Sequence, residues 1–122
     1  MAENEPGAYD HGQLVMAYLQ THGGELGREI SSPGSGWSVE PHPQGLAAGI
    51  DPERRILYVH DGTIPEEPLR GELTHLRQFR DGSYYSGMPF HEYLTLEVEA
   101  HGRNVSADLV FFQWQQTYGK PP

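Results

Sequence analysis

Between Phe90 and Trp114 the chain carries carboxylates at positions that an extended ribbon would bring face to face. Leu94, Leu96, Val98 and Ala100 alternate with Thr95, Glu97 and Glu99. That period of two predicts a strand with one buried face. His101-Gly102-Arg103-Asn104 supplies residues that tolerate the positive φ of a tight turn. Alternation resumes at Val105, Ala107, Leu109 and Phe111. Folding about Gly102 and Arg103 sets Glu97 opposite Asp108, Tyr93 opposite Phe112 and His91 opposite Trp114. Opposed like charges destabilise a sheet, and close carboxylates hold a proton more tightly than isolated ones. The pair therefore reads as an acid/base site or a dock for a basic partner; the plainer alternative is two separately hydrated surface acids.

Other chemistry is sparser. His60-Asp61 has the composition of a base with its orienting acid, but adjacent strand residues point to opposite faces, so Asp61-Gly62 reads as a turn. Arg70, Arg77 and Arg80 gather positive charge around His75, which suits an anion or, more simply, the neighbouring acids. Tyr84 and Tyr85 point opposite ways if extended, so one can line a cavity. The histidines at 42, 60, 75, 91 and 101 lack the short spacings that put two metal ligands on one strand or helix face. No metal and no cofactor is expected from local motifs, although folding could still assemble a site. Ser32-Pro33-Gly34-Ser35-Gly36 is not a phosphate loop, because no Lys-Ser/Thr follows it.

These residues need elements to hold them. Asp10 and Gln13 have the spacing of a capping box, Leu14, Val15, Tyr18 and Leu19 continue at helical spacing, and Gly23-Gly24 stops the helix. Residues 23–36 read as a flexible Gly/Ser-rich loop anchored by Leu26 and Ile30. Trp37-Ser38-Val39 is a short edge strand ended by Pro41-His42-Pro43. Gly45 to Ile50 and Arg55 to His60 form a hairpin about Asp51-Pro52-Glu53-Arg54, with Ile56 to Val59 as a central strand. For 69–80 the sequence supports two structures. Leu69, Leu73, Leu76 and Phe79 fit a helix, whereas Gly71 and the hairpin signal Asp81-Gly82 favour a second hairpin, Glu72–Phe79 with Ser83–Ser86. The hairpin is the expectation carried forward.

Composition bounds the rest. The 122 residues suit one domain over 10–118, with 1–9 a disordered acidic leader and 119–122 a tail. The absence of cysteine removes disulfide and thiolate chemistry and points to a cytoplasmic home. No apolar run reaches membrane-spanning length, so no membrane partner is expected. A formal charge of −9 argues against direct nucleic-acid binding and for attraction to a basic protein.

The stretches Gly49–Arg54 and Asp81–Ser86 are loosely similar to segments of some bacterial immunity proteins, which neutralise toxins. They are turn sequences covering a small part of the chain, so membership does not follow. The expected fold is α+β: an N-terminal helix on a twisted antiparallel sheet of about five to six strands, able to curl into a partial barrel. Two functions compete on it. The favoured one is a non-enzymatic binding or inhibitory module whose acidic face, Glu66, Glu67, Glu97, Glu99 and Asp108, meets a basic protein. The other is a small-molecule enzyme with a His/carboxylate acid–base pair in an aromatic pocket of Tyr58, His60, His91, Tyr93, Phe112 and Trp114.

Overall fold

The computed structural model describes residues 10–119. They cluster into two compact units that divide between Leu73 and Thr74. The leader expected at 1–9 and the last three residues of the tail lie outside the described residues.

The first unit opens with α1 (Asp10–His22), the helix that the 3.6-residue pattern predicts. It buries Val15 and Leu19 completely. Asp10 is the first residue within this helix. The segment after it is not the expected loop, because α2 occupies Gly24–Ser31. Its glycines serve close packing rather than freedom. A Cβ on Gly23 would stand 2.6 Å from the Leu19 carbonyl oxygen, and one on Gly27 would stand 2.5 Å from it. Only a bare Cα lets α2 lie so near the last turns of α1, and Ile30 is fully buried as a result.

Three short strands follow: β1 (Ser38–Pro41), β2 (Ala48–Asp51) and β3 (Ile56–Val59). Their order is β1-β3-β2. The predicted hairpin is present, with β2 antiparallel to β3 and Ile50 opposite Leu57. The Asp51 carboxylate accepts from the Arg54 amide at 3.1 Å, which closes its turn. Arg55 follows with φ of 57°, the left-handed region that favours glycine. Its guanidinium Nη1 donates to the Ser35 carbonyl at 2.8 Å. The β1 strand pairs with β3 in parallel, Val39 opposite Leu57. The aliphatic run Ile56, Leu57 and Val59 is therefore central and buried, as its composition predicts.

The expected five-to-six-strand antiparallel sheet, and any partial barrel made from it, is overturned. Among the described residues there are five helices and one open three-stranded mixed sheet. Two segments account for the difference. The first is α3 (Glu66–Arg80), which replaces the expected second hairpin. Glu66 and Glu67 lie in its first turn and Arg77 and Arg80 in its last, each sign opposing the helix dipole. Asp81-Gly82 ends the helix, with Gly82 at φ of 75°.

The second is the predicted ribbon, which folds as α4 (Phe90–His101) and α5 (Ala107–Thr117). The pairing of Glu97 with Asp108 therefore does not exist. The turn residues serve as helix ends: Gly102 caps α4 at φ of 86°, and the Ser106 hydroxyl accepts from the Leu109 amide at 3.3 Å to start α5. Aromatic rings pack this second unit. Phe90 meets Phe111 and Trp114 at centroid distances of 5.1 and 5.7 Å, and the Trp114 indole donates to the Met88 carbonyl at 2.7 Å.

Candidate functional site

Within the second unit, polar side chains from α3 and α4 converge on His75. Leu76 is buried beside it in sequence, and Gln78 is almost fully buried. A buried amide must find partners for both ends. The Gln78 Nε2 donates to the Leu96 carbonyl at 3.0 Å and to Glu99 Oε1 at 2.7 Å. Both are pure acceptors, so the amide has only one orientation, with Oε1 turned to His75. His75 Nδ1 lies 2.9 Å from that oxygen and 2.7 Å from the Tyr84 hydroxyl, which itself donates to Gln78 Oε1 at 3.0 Å. The Nδ1 atom must therefore carry a proton. In the neutral ring the lone pair is then on Nε2, whereas the protonated ring donates from both nitrogens, with Nε2 directed at the Glu97 carboxylate 3.0 Å away.

That nitrogen faces further polar atoms. Glu97 Oε2 is 3.0 Å away and His101 Nε2 is also 3.0 Å away. The His75 and Glu97 side chains retain only 14% and 12% of their surface. His101 sits at the rim and is exposed as a residue, yet its ring is enclosed enough for burial to lower its pKa. The neighbouring His75 lowers it further, and Glu97 opposes the shift. Glu99 is anchored from outside by Arg77 at 2.8 Å, and the Arg77 and Gln78 hydrogen bonds hold its carboxyl below the ordinary range. Tyr93 packs near Tyr84 and Tyr118, and burial pushes its phenol up to about 12, with Glu97 and Tyr118 adding to the shift. Glu72, one turn before His75 on the same face of α3, is also buried. His75, His101 and the carboxylates are the residues that could hold a metal, and His75 beside Glu97 has the form of an acid–base pair.

The predicted site residues are distributed differently. Glu66 and Glu67 are exposed in the first turn of α3, where Glu66 accepts from the Tyr18 hydroxyl at 3.2 Å. Asp108 is exposed in the first turn of α5. Glu97 faces His75 and Glu99 faces Arg77, so these two acids lie in internal contacts. Of the expected aromatic pocket, Tyr58 and His60 belong to the first unit, with Tyr58 edge-on to His42 and His60 Nδ1 within 2.9 Å of the Gly45 carbonyl. His91, Tyr93, Phe112 and Trp114 belong to the second. Among these, Tyr93 borders the His75 cluster, whereas His91 keeps 81% of its side chain in water and Phe112 is 57% exposed. The first unit also carries an open groove of about 800 Å³ that includes Met16, Trp37 and Glu40; of its lining residues Glu40 alone is ionisable.

Sequence reasoning missed Gln78 altogether and gave His75 and His101 no role together. They are 26 residues apart, a separation with no motif in it. One signal was present: His91, Thr95 and Glu99 recur every four residues as the exposed stripe of a helix. That periodicity turns Glu97 and His101 to another face. Comparison with protein-family models, with curated proteins and with solved structures finds no match, so the site is read from its own geometry.

Proposed function

We propose that the chain is a non-enzymatic binding module for a basic protein partner. The observation that carries this reading is the formal charge of −9, seventeen acids against eight Lys and Arg. The acidic face is narrower than the sequence implies. Glu97 and Glu99 are engaged internally and Glu66 is shared with Tyr18, which leaves Glu67 and Asp108 as the most accessible of the five. A cytoplasmic setting fits a chain without cysteine; none of the described helices is long and apolar enough to cross a membrane.

The test is capture from a lysate of the native host at low and at high salt, with bound proteins identified by mass spectrometry. The expected result is one stoichiometric basic protein, released by salt and weakened by Glu67→Lys or Asp108→Lys. An empty capture at low salt would overturn the reading.

The His75 cluster favours a second reading, a small-ligand site. A histidine of fixed tautomer beside a carboxylate, with Tyr84 and Tyr93 close by, is suited to moving a proton on a bound molecule. A fragment screen followed by NMR shifts of the His75 and His101 rings would test it. Hits that persist unchanged in His75→Gln would exclude it.

A further inference from the structure

Among the described residues β1 is an edge of the sheet, and it forms one wall of the open groove in the first unit. The Ser38 amide donates to the Arg55 carbonyl and the His42 amide to the Val59 carbonyl. In a planar trans peptide the carbonyl points opposite to the amide that follows it, so the Trp37 and Pro41 carbonyls turn away from β3. The parallel register turns both backbone groups of Val39 the same way. Pro41 has no amide hydrogen, and the Trp37 amide is taken by the Ser35 hydroxyl at 3.1 Å. From Trp37 to Pro41 the outer edge thus offers three carbonyl acceptors and a single donor, the Val39 amide.

The opposite wall is one face of α1, where Gln13, Met16, Ala17 and Gln20 line the groove at helical spacing. Gly12 to Gln20 rises about 12 Å, and the four residues of β1 extend about 10 Å, so the two walls match in length. The groove, at about 800 Å³, is as large as ordinary ligand clefts. Glu40 is its one ionisable lining residue, and it is exposed.

From this geometry we propose that the groove between α1 and β1 seats a short extended segment of a protein partner, paired with the outer edge of β1 and carrying a lysine or arginine that meets Glu40. It rests on the reading of the chain as a binder of a basic protein and names where that partner docks. Strand addition to an open edge draws affinity from main-chain hydrogen bonds and specificity from side-chain contacts. A row of carbonyls beside a lone carboxylate favours an occupant rich in donors and positive charge, and repels an acidic one. The overall charge of −9 acts in the same direction. Pro41 prevents a long ladder, which suits the edge to a short segment. A second copy of β1 is the poorer occupant, because it would bring another Glu40 and another row of carbonyls.

The experiment selects from a phage-displayed library of random heptapeptides on the immobilised full chain and measures synthetic copies of the enriched peptides by calorimetry. The expected peptides carry lysine or arginine. Glu40→Gln should weaken them about tenfold, as should Ala17→Trp, which fills the groove from the exposed face of α1, whereas Glu67→Lys should leave them unchanged. Hydrogen exchange followed by NMR should slow at the Val39 amide when peptide is bound and stay the same at the Glu40 amide, which is already in the β1–β3 ladder. Should Ala17→Trp lose the helical circular dichroism of the parent, Glu40→Gln and the Val39 exchange carry the test. No enrichment, or peptides indifferent to Glu40→Gln that leave the Val39 amide unprotected, would overturn the proposal. A basic protein captured from lysate, released by Glu67→Lys and indifferent to Glu40→Gln and Ala17→Trp, would overturn the groove alone and leave the partner reading in place.

Discussion

In the first unit Val15, Leu19, Ile30, Leu57 and Val59 are fully shielded from water with no polar side-chain atom among them, and the buried carboxylate of that unit, Glu72, comes one residue before its end. In the second, Gln78 is as shielded as Leu76, Met88 and Val110, and it takes a whole amide inside. The two interiors answer to different rules. Aliphatic burial is worth roughly 25 cal/mol per Å² whatever the orientation, so the first unit is sensitive to volume. A buried amide contributes only when every partner is in place, so the second is sensitive to single atoms and to proton positions. The candidate site belongs to the unit of the second kind, where Gln78, Tyr84 and His75 share one hydrogen-bond network.

The contrast can be broken in several places, and each unit has its own reporter, Trp37 in the first and Trp114 in the second. Leu57→Ala, on the central strand, should cost about 2–5 kcal/mol in denaturant unfolding followed by Trp37, whereas the volume-conserving Leu57→Met should cost under about 1.5 kcal/mol. Gln78→Leu also keeps the volume, yet should cost about 1–3 kcal/mol followed by Trp114, because His75 Nδ1 and the Leu96 carbonyl lose a partner. Equal costs for Leu57→Met and Gln78→Leu would remove the distinction. Ser106→Ala should cost about 1 kcal/mol by loss of the α5 cap, a test of the helix that replaces the predicted strand.

A further effect is in alkali. Tyr93 is raised from 10.0 to about 12, so the fold favours its neutral phenol. The resulting stabilisation is complete below pH 10 and is lost as pH rises from there to about 12. Spectrophotometric titration should show a late phase in which Tyr93 ionises after Tyr18, Tyr85 and Tyr118, which are themselves raised, and Tyr93→Phe should remove the last part of it.

The first unit was largely legible in the sequence. The α1 pattern, the Asp51-Pro52 turn and the Ile56 to Val59 run each have a local cause, and the structure has all three where those causes put them. What sequence alone could not supply was the role of Gly23 and Gly27, since a glycine needed for close packing has the same letter as one in a loose loop. The second unit was misread at its turns. Gly102 with Asn104, and Asp81 with Gly82, satisfy a hairpin and a helix end equally well, because both need positive φ. Between them, Leu94 to Ala100 fits a period of two over seven residues, too short a span to outweigh the four-residue stripe of His91, Thr95 and Glu99. With α4 read as a strand, Glu97 was paired with Asp108 and its place beside His75 was hidden.

Arg55 has a consequence for proteolysis. It follows Arg54, so the β2–β3 turn offers trypsin two adjacent cleavage points. Trypsin must draw the arginine side chain into an acidic pocket before it cuts. The Arg55 guanidinium is tied to the Ser35 carbonyl, and its next peptide bond enters the central strand. Arg54 and Arg55 are both exposed as residues, so the tie on Arg55 is what separates them. Limited digestion should therefore cut after Arg54 first, and the terminal mass of the released fragment, longer or shorter by a single arginine, records whether that tie is intact in solution.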